Sequence, residues 1–257
     1  MFTAQEYARP ATLEEAYALN QRRGNTIIGG GGWLRMGRQR FHTLIDLSGL
    51  GLDNIKEEDG RFTLGAMVTL RQMELDRGLA GAFGPLFVDM AKHIVGIQFR
   101  NRATLGGSLA SRFGFSDVLT CLLALDCQVE LAGAGTVPLP RYAQMPYDRD
   151  VLARVILHKN GRRAAYESTL ITHTDIPVLT CAASALGDSL RVVIGARPGR
   201  ASALDGLSLA DGPERAAQAA REYFSFGSNM RASAQYRRHL AGVLAARAVR
   251  RLQEVNP

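Results

Sequence analysis

The chain has 257 residues, 46% of them hydrophobic, and a formal net charge of +7, a length that fits one large domain or two modest ones with a sizeable core. No apolar run approaches the roughly 20 residues of a membrane-spanning helix, and Met1 to Ala11 lacks the basic, apolar, small-residue order of a signal peptide, so a cytoplasmic location is expected. Cys121, Cys127 and Cys181 are odd in number and form no CxxC pair, which argues against a disulfide framework or a cysteine-held cluster and reads as three buried thiols.

In chain order, Thr12 followed by Glu15 has capping-box spacing and predicts a helix from about Leu13 to Arg23, ended near Gly24. "NTII" reads as a strand that stops at four glycines, "WLRMGRQ" as a short helical turn and "HTLIDL" as a second strand. Asp59-Gly60 lies between the strand-like runs of "IKEEDGRFTLG" and signals a hairpin. "GPLFVDMAKHIV" reads as a helix, "ATLGGSLA" as a glycine-interrupted loop and strand, and "SDVLTCLLALD" as a helix capped by Ser116 or Asp117. "CQVELAGAGTVPL" suggests another hairpin. From Val151 four strand-like runs follow, "VLARVILHK", "RRAAYESTLIT", "PVLTCAASAL" and "SLRVVIGA", then two helical stretches, "GPERAAQAAREYF" and one from Ala232 to Val255. In the last, Tyr236, Leu240, Val243, Leu244 and Val249 form an apolar stripe opposite arginines. The polar turn "HKNGRR" sets an expected boundary between units 1–158 and 159–257, the first with lobes of about 1–54 and 55–158.

The positive charge comes mostly from arginine and raises the possibility of a nucleic-acid module. No RNP-like aromatic motif, zinc-finger spacing or helix-turn-helix signature accompanies it, so no nucleic-acid partner is expected. His42, His93, His158, His173 and His239 show no HxxxH or HxH spacing, and no metal site is expected on this chain.

Gly29, Gly30, Gly31 and Gly32 after a strand let backbone approach a ligand closely and let successive N–H groups converge on an anion. The dinucleotide fingerprint GxGxxG fails, because Leu34 or Arg35 stands at its third glycine. The Walker pattern fails too, with Arg38 in place of lysine and Gln39 in place of Ser or Thr. A tight strand-to-helix turn would account for one such run. A second stretch, "FRNRATLGGSLAS", places Gly106 and Gly107 among Thr104, Leu105 and Ser108, with Asp117 shortly after. Two glycine sites suggest one extended ligand such as FAD, whose pyrophosphate takes backbone donors and whose ribityl and ribose groups take hydroxyl or carboxylate partners. Asp117 serves equally as a helix cap.

The segments "IIGGGGWL", "TLIDLSGL", "FTLGAMVTL", "FRNRATLGGSLA" and "SDVLTCLLALDCQVEL", with "RVVIGARPGRA" and "RASAQYRRHLAGVL" near the end, resemble the FAD-binding medium subunits of molybdenum hydroxylases, the xanthine dehydrogenase and carbon monoxide dehydrogenase family. The resemblance covers nearly the whole chain. It implies an α+β fold: a two-lobed FAD-binding domain of the vanillyl-alcohol-oxidase-like (PCMH) type, followed by a small C-terminal domain of sheet plus helices. It also implies that Gly29 to Trp33 and Thr104 to Ser108 bind the FAD pyrophosphate and its neighbourhood and that Asp117 faces the flavin. The implied activity is electron transfer through FAD to NAD or another acceptor, with the molybdenum cofactor and iron–sulfur clusters on partner subunits and no catalytic acid, base or nucleophile here. A self-contained flavin oxidoreductase is the rival enzyme reading. The sequence departs from the family at Gly32-Trp33, where a Thr-Asp-like pair is usual, at Ser108 in place of Asn, and at Ser168 in place of the lysine after Tyr166-Glu167. The segment "RYAQMPYDRDVLARVIL" is shorter than usual. The C-terminal arginines, Arg237 and Arg238 among them, are expected to contact other subunits.

Overall fold

The computed structural model describes residues 1–254 of the chain. The N-terminal lobe opens with β1 (Thr3–Ala8), a strand without apolar alternation that is held by parallel pairing with β3, below. Thr12 then caps α1 (Leu13–Gln21): its Oγ1 accepts the Glu15 N–H at 3.2 Å, and the Glu15 carboxylate accepts the Ala11 N–H at 2.7 Å. The helix stops two residues before Arg23, and Gly24 takes φ 92° in the turn that follows. β2 (Thr26–Ile28), α2 (Gly32–Met36) and β3 (Arg40–Asp46) complete a three-stranded parallel sheet of order β1-β3-β2. Its small core joins Ala16, Ile45, Leu47, Leu52 and Val151.

The second lobe begins with β4 (Ile55–Glu58) and β5 (Arg61–Gly65). They form the expected hairpin, with Asp59 at φ 50° and Gly60 at φ 72°, the two positive angles that a type I′ turn requires. Short helices follow: α3 (Leu70–Leu75), α4 (Arg77–Phe83), α5 (Leu86–Ala91), α6 (Ile97–Arg100), α7 (Leu105–Ala110) and α8 (Asp117–Leu123). The stretch read as a glycine-interrupted loop and strand is therefore helix α7. Thr104 caps it by accepting the Gly107 N–H at 3.1 Å, and the Leu105 and Gly106 amides are anchored on the carbonyls of Val68 and Ala66. β6 (Cys127–Leu131), β7 (Gly135–Pro138), α9 (Leu139–Gln144) and β8 (Leu152–His158) close an antiparallel sheet of order β4-β5-β8-β6-β7.

Between His158 and Arg163 the chain leaves that sheet for a four-stranded antiparallel one, β9 (Arg163–Thr169), β10 (Leu179–Leu186), β11 (Ser189–Gly195) and β12 (Ser202–Ser208), in the order β12-β11-β10-β9. α10 (Gly212–Tyr223) and α11 (Ala234–Glu254) cover one face. On that face Cys181, Ala183, Val192 and Ile194 pack with Leu240, Leu244 and Val249. The alternating residues Tyr166, Ala182 and Val193 point the other way and join the core of the second lobe, so this sheet is buried on both sides. The three cysteines are free, buried thiols whose pKa values burial pushes up.

One expectation about the last helix is overturned. Arg237 is 1% exposed; its guanidinium donates to the carbonyls of Val178, Gly227 and Ala232 and to Asn229 Oδ1 at 2.6–3.0 Å. It holds the approach to α11 onto the sheet and is unavailable to another subunit, because a buried guanidinium needs every donor satisfied internally. Arg238 is exposed.

Candidate functional site

The two glycine stretches, about seventy-five residues apart in sequence, lie directly against one another. A β-carbon on Gly29 would stand 2.6 Å from Thr104 Oγ1 and 3.4 Å from the Gly107 Cα, and one on Gly30 would overlap the Arg102 carbonyl. On Gly32 it would stand 2.8 Å from the Phe99 ring, and on Gly106 2.7 Å from the Ala66 side chain. Gly29 and Gly30 are thus required by the meeting of the two stretches, Gly32 by the Phe99 ring and Gly106 by Ala66 beneath it. Gly31 has a different reason, φ 73° and ψ 10°, the left-handed region that only glycine adopts without strain.

That conformation, followed by the helical residues of α2, turns successive N–H groups toward one side. Among the described residues no acceptor is found for the N–H groups of Gly30, Gly31, Gly32 and Trp33. Four adjacent unpaired donors beside a left-handed residue are a donor set suited to an anion. Gly107, exposed and flanked only by Thr104 Oγ1 at 3.1 Å and the Gly29 Cα at 3.9 Å from its virtual β-carbon, lies beside the same loop. Leu105 and Gly106 are buried beneath it. Ser108 Oγ is turned back to the Thr104 carbonyl at 2.9 Å, and the Ser108 carbonyl accepts the Ser116 hydroxyl at 3.1 Å. The donor set, backbone amides without competing carboxylates, fits a pyrophosphate.

Ser116, not Asp117, caps α8, by accepting the Leu119 N–H at 3.1 Å. The Asp117 carboxyl is left free to accept the Tyr166 hydroxyl at 2.6 Å, a bond from the second lobe to the C-terminal sheet. Burial pushes the Asp117 carboxyl up to about 6, against the lowering effect of the Tyr166 bond and of its own amide. Tyr166 is raised in turn by burial and by the neighbouring carboxyl. Ser168 lies two residues along β9, opposite Thr180.

Sequence reasoning missed the aromatic and cationic surroundings. Trp33 packs against Phe113 and Phe115, with ring centroids 5.7 and 5.1 Å away. Arg112 turns inward over the Tyr142 ring, 4.4 Å from its centroid, and donates to the Pro146 carbonyl and to Asp148 Oδ2. The short segment after α9 is therefore the anchor of the loop that leads to Asp117. The only signal for these contacts was the pair of phenylalanines and the arginine in "SRFGFSD".

Residues 2–179 match the family model described as the FAD binding domain in molybdopterin dehydrogenase, and residues 164–252 match the CO dehydrogenase flavoprotein C-terminal domain. The chain belongs to this family. It is an FAD-binding flavoprotein of the medium-subunit type found in molybdenum hydroxylase and carbon monoxide dehydrogenase complexes. The chain is 27% identical over 274 residues to the carbon monoxide dehydrogenase medium chain of Hydrogenophaga pseudoflava, covering 95% of both chains. It is 28% identical over 272 residues to the nicotine 6-hydroxylase medium subunit of Paenarthrobacter nicotinovorans, again covering 95% of both. In fold it matches a chain of reconstituted CO dehydrogenase from Oligotropha carboxidovorans with a TM-score of 0.86 at 24% identity, over 98% of each chain. No described helix of this flavoprotein is long and apolar enough to cross a membrane.

Proposed function

We propose that this chain is the electron-transferring subunit of a molybdenum-dependent hydroxylase or dehydrogenase. Its FAD would receive electrons from an iron–sulfur partner and deliver them to an acceptor, NAD or another, while a separate molybdenum-cofactor subunit oxidises the substrate. The observation that carries the reading is the set of four unpaired amides at Gly30–Trp33, brought against Thr104–Ser108. In this assignment the free amides of Gly30 to Trp33 hold the pyrophosphate, and Gly29 and Gly107, which carry no β-carbon, let it approach the backbone closely. Thr104, Leu105, Gly106 and Ser108 shape the wall beneath it, and Asp117 offers a carboxyl to the ribityl or ring edge. Bound FAD supplies the redox chemistry, accepting and releasing electrons.

The chain's own residues bind, orient and insulate. A carboxyl raised to about 6 is ionised at neutral pH only at an energetic cost, so Asp117 responds to a hydrogen-bond donor placed against it and stabilises whichever ligand atom supplies one. Ser168, where the resemblance leads one to expect a lysine, carries no charge, and the Asp117–Tyr166 hydrogen bond lies two residues away along β9. The change of sheet between His158 and Arg163 supports a division into an FAD-binding unit ending near residue 158 and a C-terminal unit beginning near 159.

Titration of the purified chain with FAD and, separately, FMN, read by flavin absorbance and fluorescence, tests the assignment. FAD-selective saturation is expected, because FMN lacks the pyrophosphate that the amides would hold. Failure of both flavins to bind, in the isolated chain and in complex with co-expressed partner subunits, would overturn it. Metal analysis of that complex, with molybdenum and iron present and absent from this chain alone, tests the placement of the other cofactors.

A further inference from the structure

The unpaired amides end on Trp33, the chain's single tryptophan, a residue that is 43% exposed. Its indole meets Phe115 and Phe113, and the two phenylalanines stack on each other with centroids 5.0 Å apart and planes 10° from parallel. Both phenylalanines keep part of their surface open to solvent. Three rings gathered at the rim of an amide cradle, and left partly bare, exceed what closing the loops requires.

The loop that displays them is held at alternate residues. Arg112 takes φ 50°, is 6% exposed, and is fixed by Tyr142, Pro146 and Asp148. The Gly114 carbonyl accepts the Ala196 N–H at 2.8 Å, and a β-carbon at Gly114 would meet the Gly199 carbonyl oxygen at 2.9 Å. Ser116 is tied both to Ser108 and to the first turn of α8. Pinning residues 112, 114 and 116 leaves Phe113 and Phe115 on the same side, toward Trp33. Ala196, which holds Gly114, also has positive φ, 55°. A non-glycine residue persists in that region only where its surroundings over-determine it, and here Ala196 is held with its N–H on the carbonyl of the residue between the two phenylalanines.

We propose that Trp33, Phe113 and Phe115 form a stacking platform for one planar ring of the dinucleotide whose pyrophosphate lies on the amides of Gly30–Trp33. This rests on the FAD assignment above and adds the residues that set ring affinity. Offset and edge-on packing against aromatic faces is the favoured geometry for such rings, and truncating one stacking partner weakens binding roughly 5- to 150-fold.

The test uses the full-length chain and its Trp33→Leu, Trp33→Phe and Phe115→Leu variants, with FAD binding measured by ultrafiltration and the ligand-free melting temperature measured alongside. The leucine variants are expected to melt within a few degrees of the parent and to bind FAD roughly 5- to 150-fold more weakly, while Trp33→Phe stays within about threefold of the parent. Titration with ADP, which keeps the pyrophosphate and adenine but lacks the flavin, separates the two rings: an ADP affinity that falls together with the FAD affinity assigns the platform to adenine, and one that is unchanged while the FAD affinity falls assigns it to the isoalloxazine. Acrylamide quenching of Trp33 in the parent chain, with and without saturating FAD, gives a reading that needs no variant, and a covered indole loses accessibility. If the parent binds FAD while both leucine variants bind it equally well, or the indole stays as accessible as before, the platform is wrong and the FAD assignment stands. If the parent binds no FAD, the site assignment fails and takes the platform with it.

Discussion

At the scale of single residues, Asp117 shows how the fold takes a side chain from one role and gives it another. Ser116 performs the capping that either residue could supply, because its hydroxyl both accepts the Leu119 N–H and donates to the Ser108 carbonyl. The aspartate is carried inward to Tyr166, where burial raises its pKa from 3.8 to about 6. A carboxyl whose folded pKa is raised favours the fold most when it is protonated. Its contribution is complete below about pH 4 and is lost as the pH rises through about 6. At one pKa unit per 1.36 kcal/mol, the penalty at neutral pH is on the order of 2–3 kcal/mol. Asp117→Asn keeps an acceptor for the Tyr166 hydroxyl and removes the charge. Thermal melts of the two proteins from pH 4 to pH 8 should therefore coincide at the acid end and separate toward neutrality, with the asparagine variant the more stable. Parallel melting curves across the whole range would show that Asp117 is not desolvated.

Among the elements, the glycines divide into those that the chain itself needs and one that it does not. Gly30→Ala forces the first loop off the Arg102 carbonyl and should cost roughly 2–4 kcal/mol, in the range of severe steric changes in packed sites. It should also separate the two glycine stretches. Gly107→Ala introduces a β-carbon 3.1 Å from Thr104 Oγ1 on an exposed surface, a mild intrusion. Its ligand-free melting temperature should change by only a few degrees, while FAD affinity should fall because the methyl group enters the cradle. Comparing melting temperature with FAD affinity for the pair separates loop closure from ligand contact; equal losses of stability in both variants would contradict the distinction. The sequence made the glycine stretches visible as places of close approach, yet it concealed what approaches them. Gly30 against Arg102 and Trp33 against Phe115 are long-range contacts that no local periodicity encodes. The error at "ATLGGSLA" has the same origin. Two glycines lower helix propensity, and the helix forms because Thr104 caps it and because Val68 and Ala66 accept its first amides. β1 and β12 were invisible because their exposed or partly exposed residues carry no apolar alternation. Hairpins with a turn signal, such as Asp59-Gly60, and the fully apolar β10 were legible because their determinants are local.

For the molecule as a whole, the decisive feature is that the C-terminal sheet has no free face. One side packs against α10 and α11, and the other packs against α5 and α8 of the second lobe. Buried polar contacts register that second interface: Thr120 Oγ1 lies 2.8 Å from Thr180 Oγ1, and Ser184 Oγ donates to the Ala124 carbonyl at 2.5 Å. Arg251, near the end of α11, reaches across β9 to donate to the Tyr166 carbonyl and Glu167 Oε1 at 3.0 Å, and pairs with Asp89 on α5. The N-terminal lobe is joined through Val151 in its core, through Gly29 and Gly30 against Thr104 and Arg102, and through Asn20 Nδ2, which donates to the Arg149 carbonyl at 2.7 Å. Units that share buried surface on this scale lose it together, so unfolding should be a single transition. Trp33 emission reports on the N-terminal lobe and far-UV circular dichroism on all three sheets and their helices, and in a urea titration the two curves should superimpose. Arg251→Ala removes three contacts from a partly exposed guanidinium, for which solvent screening limits the loss to about 1–2 kcal/mol. In a cooperative molecule both probes should shift to the same lower midpoint, although the substitution lies in the last helix and the tryptophan in the first lobe. A shift in the dichroism midpoint that leaves the Trp33 midpoint in place would mean that the C-terminal sheet separates first, and that the contacts at Tyr166 and Thr180 do not bind it to the flavin-carrying lobes.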